Sequence, residues 1–540
     1  MDPARARSPY LSPTESPRDA TPELIRRPEL TRRDVLAAAT ALGLLGGSAG
    51  SDAANSRARL VWGTHISLAP TWLEPAETGG VITPFMMLYA IHDALVKPMP
   101  NDPEQLCLAE SYAASEDGLA HEFVLRANAT FHNGAPVTAE DVKFSFQRYR
   151  GNAARFLSSK VAAVETPDPR RVVFRLNAPW ADFLTYYCGV TGAGWVVPKK
   201  YVESVGDEGF KRAPIGAGPY RFVSFSPGIE LVLEAFREYW RHAPSVRNLI
   251  FRVIPDETTR LAALKRGEVD IAYSIRGELA EEIRRTPGLE LKAIALNGAQ
   301  WLYFPDQWDP RSPWHDVRVR QAARLALNRD EINHALTLGY SEITDTIVPK
   351  SFKFYWEPPK VPYNPAEARV LLAEAGYTNG FDAGDYYCDA SYSNLAEASL
   401  NYLGEVGIRA KLRPIERAAF LKGYAEKKYR NIVQGGSGAF GNAATRLESF
   451  VVKGGSYAYG SYPDIDELFD RQVAETDAAK RETILHRIQQ LMHEHAIYAP
   501  IWQLGFLSGQ GPRVEESGLG LIAGYPYSAP YEDVRLKAGA

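Results

Sequence analysis

Polar and apolar residues alternate from His121 to Arg126, which puts Phe123 and Leu125 on one face and predicts a strand. Asn133-Gly134 is a turn signal, because Gly tolerates positive φ. Thr138 stands three residues before Asp141, a variant capping box, and Ala139 to Tyr149 continues with helical spacing. Phe144 and Phe146 fall on different helix faces, so one is expected in the core and the other against another layer. The same reading predicts strands at Arg59 to Thr64, Gly228 to Phe236, Leu249 to Ile254, Val269 to Ala272 and Ile408 to Pro414. A hairpin is predicted from Val161 to Leu176, turning at Asp168-Pro169. Helices are predicted from Pro84 to Ala94, Glu257 to Gly267, Leu395 to Gly407 and Lys480 to Ala496. Others open after Asp316, at Asn328-Arg329-Asp330 and at Asn364-Pro365.

Before the first strand the pattern changes. Residues 1–55 carry Pro, Ser and Arg, then Thr31-Arg32-Arg33-Asp34-Val35-Leu36, an apolar run from Ala37 to Ala49, and small residues near Ser51-Asp52-Ala53. This is the order of a secretory signal, and the paired arginines resemble a twin-arginine export signal, with Val35 in place of the usual Phe. The run is too short for a stable membrane span, and no Cys marks a lipoprotein anchor. Gly46-Gly47-Ser48-Ala49-Gly50 matches a hydrolase nucleophile elbow, but it lies in this leader with no strand before it and is set aside.

A chain of 540 residues is long enough for more than one domain, and 45% hydrophobic with 23% charged residues is ordinary for a soluble globular protein. A formal net charge of −4 argues against nucleic acid or an anionic membrane surface as partner. Cys107, Cys188 and Cys388 fit no metal spacing; they read as buried free thiols, with one disulfide of unassigned pairing as the alternative. Gly436-Ser437-Gly438-Ala439-Phe440-Gly441 matches a dinucleotide fingerprint, a weak signal alone, since a Rossmann unit wants it early in a βαβ domain with an acidic residue after the second strand. His486, His493 and His495 invite a metal reading, but they project differently from one helix, and none is assigned. Neither a catalytic triad nor a P-loop stands out, so no catalytic residue and no cofactor are assigned.

The stretch F-x-L-R followed by F-H-N-G-x-P-V-T-A-E-D-V-x-F-S-F, from Phe123 to Phe146, resembles the signature of the family 5 extracellular solute-binding proteins of ABC importers. Pro214 to Tyr220 resembles its P-x-G-T-G-P-Y, with Ala217 for Thr; Asp256 to Ile271 and Asp316 to Ala322 match further patterns. Glu74 replaces the usual Asp after the first strand, and His92-Asp93 departs from the usual Tyr-Glu. The resemblance implies an α/β, bilobal type II periplasmic-binding fold of the large form. Lobe I is expected at 56–80, 197–296 and 502–540, an inserted subdomain at 81–196 and lobe II at 297–501, with hinge segments near 297 and 501. It implies a monomer that closes on a small-molecule or peptide ligand and delivers it to membrane permease subunits, without catalysis. The alternatives are a secreted hydrolase-type enzyme and a binding protein that signals to a receptor.

By family position, Trp301, Tyr303, Gly438, Phe440, Asn442, His92 and Trp195 are the pocket candidates. Peptide-binding members carry an Asp near Asn442 that pairs with the α-ammonium. A buried ammonium needs such a carboxylate to offset its desolvation, which Asn cannot supply. The expectation is therefore a neutral or anionic ligand, with Arg446 as a candidate anion partner.

Overall fold

The computed structural model describes residues 59–538 except 78–82, 152, 188–191, 439–440, 476, 523 and 526–528. The signal-peptide reading of residues 1–55, Cys188 and Phe440 fall outside the described residues. Arg57–Ala540 forms one compact unit.

The strand Ala120–Leu125 buries every second residue, with His121, Phe123 and Leu125 inward. The chain then turns at Gly134, whose φ of 80° is readily adopted only by glycine. The helix Ala139–Arg148 starts on the predicted capping box: Asp141 accepts hydrogen bonds from the Thr138 backbone N–H at 2.9 Å and hydroxyl at 2.6 Å. Phe146 enters the local core against Phe174, with ring centroids 5.3 Å apart. Phe144 joins a separate small cluster with Val197, Val202 and Phe210. The two aromatics thus fasten one helix to two layers.

This helix packs beside a four-stranded antiparallel sheet, Ala109–Ala114, Ala120–Leu125, Arg171–Leu176 and Val161–Asp168. The hairpin turn falls at Asp168, as the Asp-Pro signal indicates. A larger mixed sheet has eleven strands among the described residues. One end runs Tyr220–Ser226, Glu230–Ala235, Asn248–Val253, Arg59–Thr64 and Ile271–Ala272; the other runs Ile432–Ser437, Phe381–Asp389 and Ile408–Ile415. Between them lie two long antiparallel strands, Glu290–Tyr303 and Tyr498–Gln510.

Those two strands lack the alternation of a half-buried strand. Every residue from Tyr498 to Gln510 is buried, because layers cover both faces, so the stretch shows no polar period. Their pairing runs from Glu290–Gln510 to Ala295–Gly505, breaks, and resumes from Ala299–Gln503 to Tyr303–Tyr498. At the break the Asn297 N–H bonds instead to Gly524 O at 3.0 Å. Pro500, which cannot donate to a ladder, sits where the register slips again, opposite Trp301.

The predicted helices form with ends moved by one to three residues: Thr83–Ile91, Glu257–Lys265, Ser393–Glu405 and Ala478–Glu494. Helices at Lys199–Arg212 and Pro463–Ala474 are additions to the reading. Cys107 and Cys388 are buried free thiols.

The two motif departures have structural partners. Glu74 is buried and forms a two-pronged ion pair with Arg148, at 2.7 and 2.9 Å, that ties the loop after the first strand to the helix Ala139–Arg148. Asp93 is buried beside the Lys97 ammonium at 2.8 Å and accepts from Tyr239 Oη at 3.0 Å and Trp240 Nε1 at 2.6 Å. Lys97 in turn lies over the faces of Tyr89 and Trp195. Each buried charge therefore meets an opposite charge or several donors.

Candidate functional site

Three apolar cores come together around one cavity. The first lies behind the large sheet and includes Leu68. The second fills the four-stranded layer and includes Tyr149 and Tyr186. The third includes Phe420, Tyr424, Phe450 and Phe469. All of these residues line a cavity of about 1390 Å³. Further wall comes from the loop around His65 to Trp72, the glycine-rich turn Gly436-Ser437-Gly438, and Gly454 to Tyr457.

The lining combines aromatic faces with short hydroxyls, among them Trp72, Phe156, Tyr457, Ser391, Ser437 and Ser456. That mixture gives apolar contact and orienting hydrogen bonds, as small-molecule sites do. Several lining charges are already engaged. Arg417, at the start of the helix Arg417–Ala425, bonds Asp389 at 2.6 Å, and Glu416 caps the same helix through the N–H groups of Ala418 and Ala419. His65 is held well below the usual histidine range by burial and by the nearby Arg260, Arg417 and Arg276, so it is a neutral imidazole. Its Nδ1 is buried with no hydrogen-bond partner among the described residues. Burial raises the Glu448 carboxyl to about 7, and that group accepts a hydrogen bond from Tyr186.

The structure brings only part of the expected set to this cavity. Gly438 lines it, together with Gly436, at the end of the strand Ile432–Ser437. Trp301 is fully buried in the third core, edge-on to Phe450 and Tyr498 at 5.1 and 5.7 Å. Tyr303 is buried beside it, its oxygen accepting from Trp308 Nε1 and the Tyr459 N–H at 3.1 Å each. Both lie on the paired stretch of a central strand, where covering layers leave their side chains no open space.

His92 is also interior. Its Nε2 donates to Leu73 O at 3.0 Å, its ring stacks on Phe210, and burial lowers its pKa to about 3. Trp195 packs between Phe85 and Tyr89. Asn442 turns away from the cavity. It caps the helix Ala443–Phe450 through the Thr445 N–H and donates to Asp182 at 2.7 Å. Arg446 is buried with its guanidinium donating to Ile347 O at 3.0 Å and lying over Trp301, Phe352 and Phe450; burial lowers its pKa to about 9. The charge argument built on Asn442 and Arg446 therefore rests on residues that serve packing and capping. The three histidines of the long helix point to separate partners: His486 to Tyr355 O, His493 to Arg324, and His495 onto the Tyr462 ring.

The cavity residues that the sequence reading did not single out include Phe156, Phe420, Tyr424 and Tyr457, with His65 and Glu448. They come from loops and helices far apart in the chain, so no local spacing marks them. Glu448 carried one usable signal, as the first acidic residue after the glycine-rich turn.

Comparison with known proteins agrees with this architecture. Residues 105–458 match the family described as bacterial extracellular solute-binding proteins, family 5 Middle. The glutathione-binding protein GsiB of Escherichia coli O1:K1 / APEC is 26% identical over 421 residues, covering 73% of this chain and 79% of GsiB. Among solved structures, the periplasmic binding protein DppA of Helicobacter pylori in complex with peptide STSA has a TM-score of 0.76 at 22% identity, covering 88% of this chain and 98% of that one. AgaA from A. tumefacien R10 in complex with agropinic acid has a TM-score of 0.76 at 25% identity, covering 89% and 99%. With the family signature matched across most of the described chain and a cavity set between separate cores, this protein belongs to the family 5 bacterial extracellular solute-binding proteins, the solute-capturing components of ABC importers.

Proposed function

We propose that this chain captures a small peptide-like or related organic solute in the cavity between its cores and releases it to membrane permease subunits. The observation that carries the reading is the cavity itself, about 1390 Å³, walled by three separate cores. That volume exceeds the roughly 300–1,000 Å³ of ordinary small-ligand pockets, leaving room for an extended solute with ordered water. The relatives named above bind glutathione, a short peptide and agropinic acid, which places peptides and opine-like acids first among classes to test.

The lobe division is proposed at the same boundaries: 56–80, 197–296 and 502–540 for lobe I, 81–196 for the inserted subdomain, and 297–501 for lobe II. The crossing strands Glu290–Tyr303 and Tyr498–Gln510 form the hinge, bending where their pairing is broken between Ala295 and Ala299. Solute contacts made with both lobes exist only when the cleft is shut, and that differential binding drives closure. Residues 1–55 direct export to the periplasm by the twin-arginine route. The mature protein acts as a monomer, without catalysis, nucleic acid, metal or cofactor.

The test is native mass spectrometry of the exported protein, followed by calorimetry and small-angle scattering with glutathione, di- to tetrapeptides and opine acids. The expected result is one bound solute class and a smaller radius of gyration on binding. Turnover of a bound compound, or no binding and no compaction with every class, overturns the reading.

A further inference from the structure

At the edge of the cavity, one buried polar cluster joins the second and third cores; Tyr186 and Glu448 line the cavity, and Asp182, Asn442 and Arg481 lie behind them. Asp182, 4% exposed, precedes the short helix Phe183–Thr185 on the second-core side. Its two carboxylate oxygens take different partners on the third-core side. Oδ1 accepts from Asn442 Nδ2 at 2.7 Å, and Oδ2 accepts from the Arg481 guanidinium. Arg481 is 6% exposed and is held in aim by Gln472 Oε1, to which its Nε donates at 2.9 Å. Four residues along the chain from Asp182, Tyr186 donates its hydroxyl hydrogen to Glu448. Residues 182 and 186 thus reach across to helices 260 to 299 positions away in sequence.

We propose that Asp182 is a latch: its bonds to Asn442 and Arg481, with the neighbouring Tyr186–Glu448 bond, hold the cleft shut and set how far the closed form is populated before solute arrives. A buried ion pair contributes little net stability over an apolar equivalent, but losing one partner leaves the other charge uncompensated. The closed state is therefore sensitive to either half of the pair, whereas an open state returns both groups to water. A latch also changes apparent affinity, because solute binding is weakened by the fraction of molecules in the wrong state.

Glu448 adds a pH dependence. The charged and titratable groups facing it are Tyr186, Asp182 and Lys160. Burial raises its pKa from the ordinary 4.5 to about 7. The closed form then binds a proton that the open form has released, so closure is favoured at low pH and weakens as pH rises between those two values.

The proposal rests on the reading that the cleft opens and closes. The experiment compares variants of the mature chain with the parent in the same buffer by small-angle scattering and hydrogen exchange, with no solute added. Asp182→Asn is expected to enlarge the radius of gyration and to raise exchange in the helix Ala443–Phe450 at least tenfold. Asp182→Leu with Arg481→Met removes both charges, leaves none buried alone, and is expected to keep the parent's far-ultraviolet dichroism and to recover most of its compactness. Glu448→Gln is expected to abolish the change in dimensions between pH 5 and pH 8. An Asp182→Asn variant as compact and as protected as the parent, or a double variant as open as Asp182→Asn, overturns the latch. A parent chain that binds solute without any change of dimensions would instead overturn the opening-and-closing reading beneath it.

Discussion

Individual side chains in this protein divide between those that face the cavity and those that only resemble them by position. Trp301 is the clearest of the second kind, fully buried against Phe450, Tyr498 and Arg446. Replacing it with Ala is expected to lower stability by about 3–5 kcal/mol through the cavity left behind, while the folded fraction keeps the parent's solute preference. Urea unfolding and calorimetry separate the two effects. Buried neutral histidines make a second prediction. Burial holds His92 near 3 and His132 near 4, against about 6.5 in an unfolded chain. Below pH 6.5 the unfolded chain takes up protons that the folded chain does not, so stability falls as pH drops. Each group alone accounts for about 2 kcal/mol between pH 6.5 and pH 5. Denaturation midpoints at pH 7.5 and 5.0 should show this loss, and His92→Gln should shrink it.

Elements are set by caps, turns and close backbone approaches. The helix Ala139–Arg148 depends on the Thr138–Asp141 box, so Thr138→Ala is expected to cost about 1 kcal/mol in unfolding experiments. Gly218, in the glycine-rich segment before the strand Tyr220–Ser226, runs against the His92 backbone. A Cβ there would lie 2.6 Å from His92 O and 2.7 Å from its N. Backbone cannot swing aside as a side-chain tip can, so Gly218→Ala is expected to destabilise by about 1–3 kcal/mol, read as a lower melting temperature. Gly216-x-Gly218 is thus a packing device under the segment that carries His92, which explains why a histidine at that position can be interior.

For the whole molecule, function depends on how the three cores meet. Asn442 illustrates the scale. The family resemblance led to the expectation of an amine-binding carboxylate near its position; in the fold the Asn442 amide caps a helix and reaches Asp182. Asn442→Asp would set a second carboxylate against Asp182 rather than present one to solute. The expected result is no gain in affinity for amine-bearing solutes by calorimetry, with a melting temperature several degrees lower.

By itself the sequence determined the elements whose signals are local. The alternation of His121 to Leu125, the Asn133-Gly134 turn, the Thr138 cap and the Asp168-Pro169 hairpin each depend on interactions spanning a few residues, and each is present as read. The family was legible for the same reason, since its motifs are contiguous. Only the tertiary structure decided the rest. The strand Tyr498–Gln510 carries no polar period because other layers cover both its faces. Trp301 and Tyr303 could not be told from pocket residues, because an aromatic side chain fits a core and a ligand wall equally well, and the difference lies in what packs opposite. The cavity wall draws Trp72, Phe156, Phe420 and Glu448 from distant segments, so its composition is a property of chain crossing rather than of any one stretch.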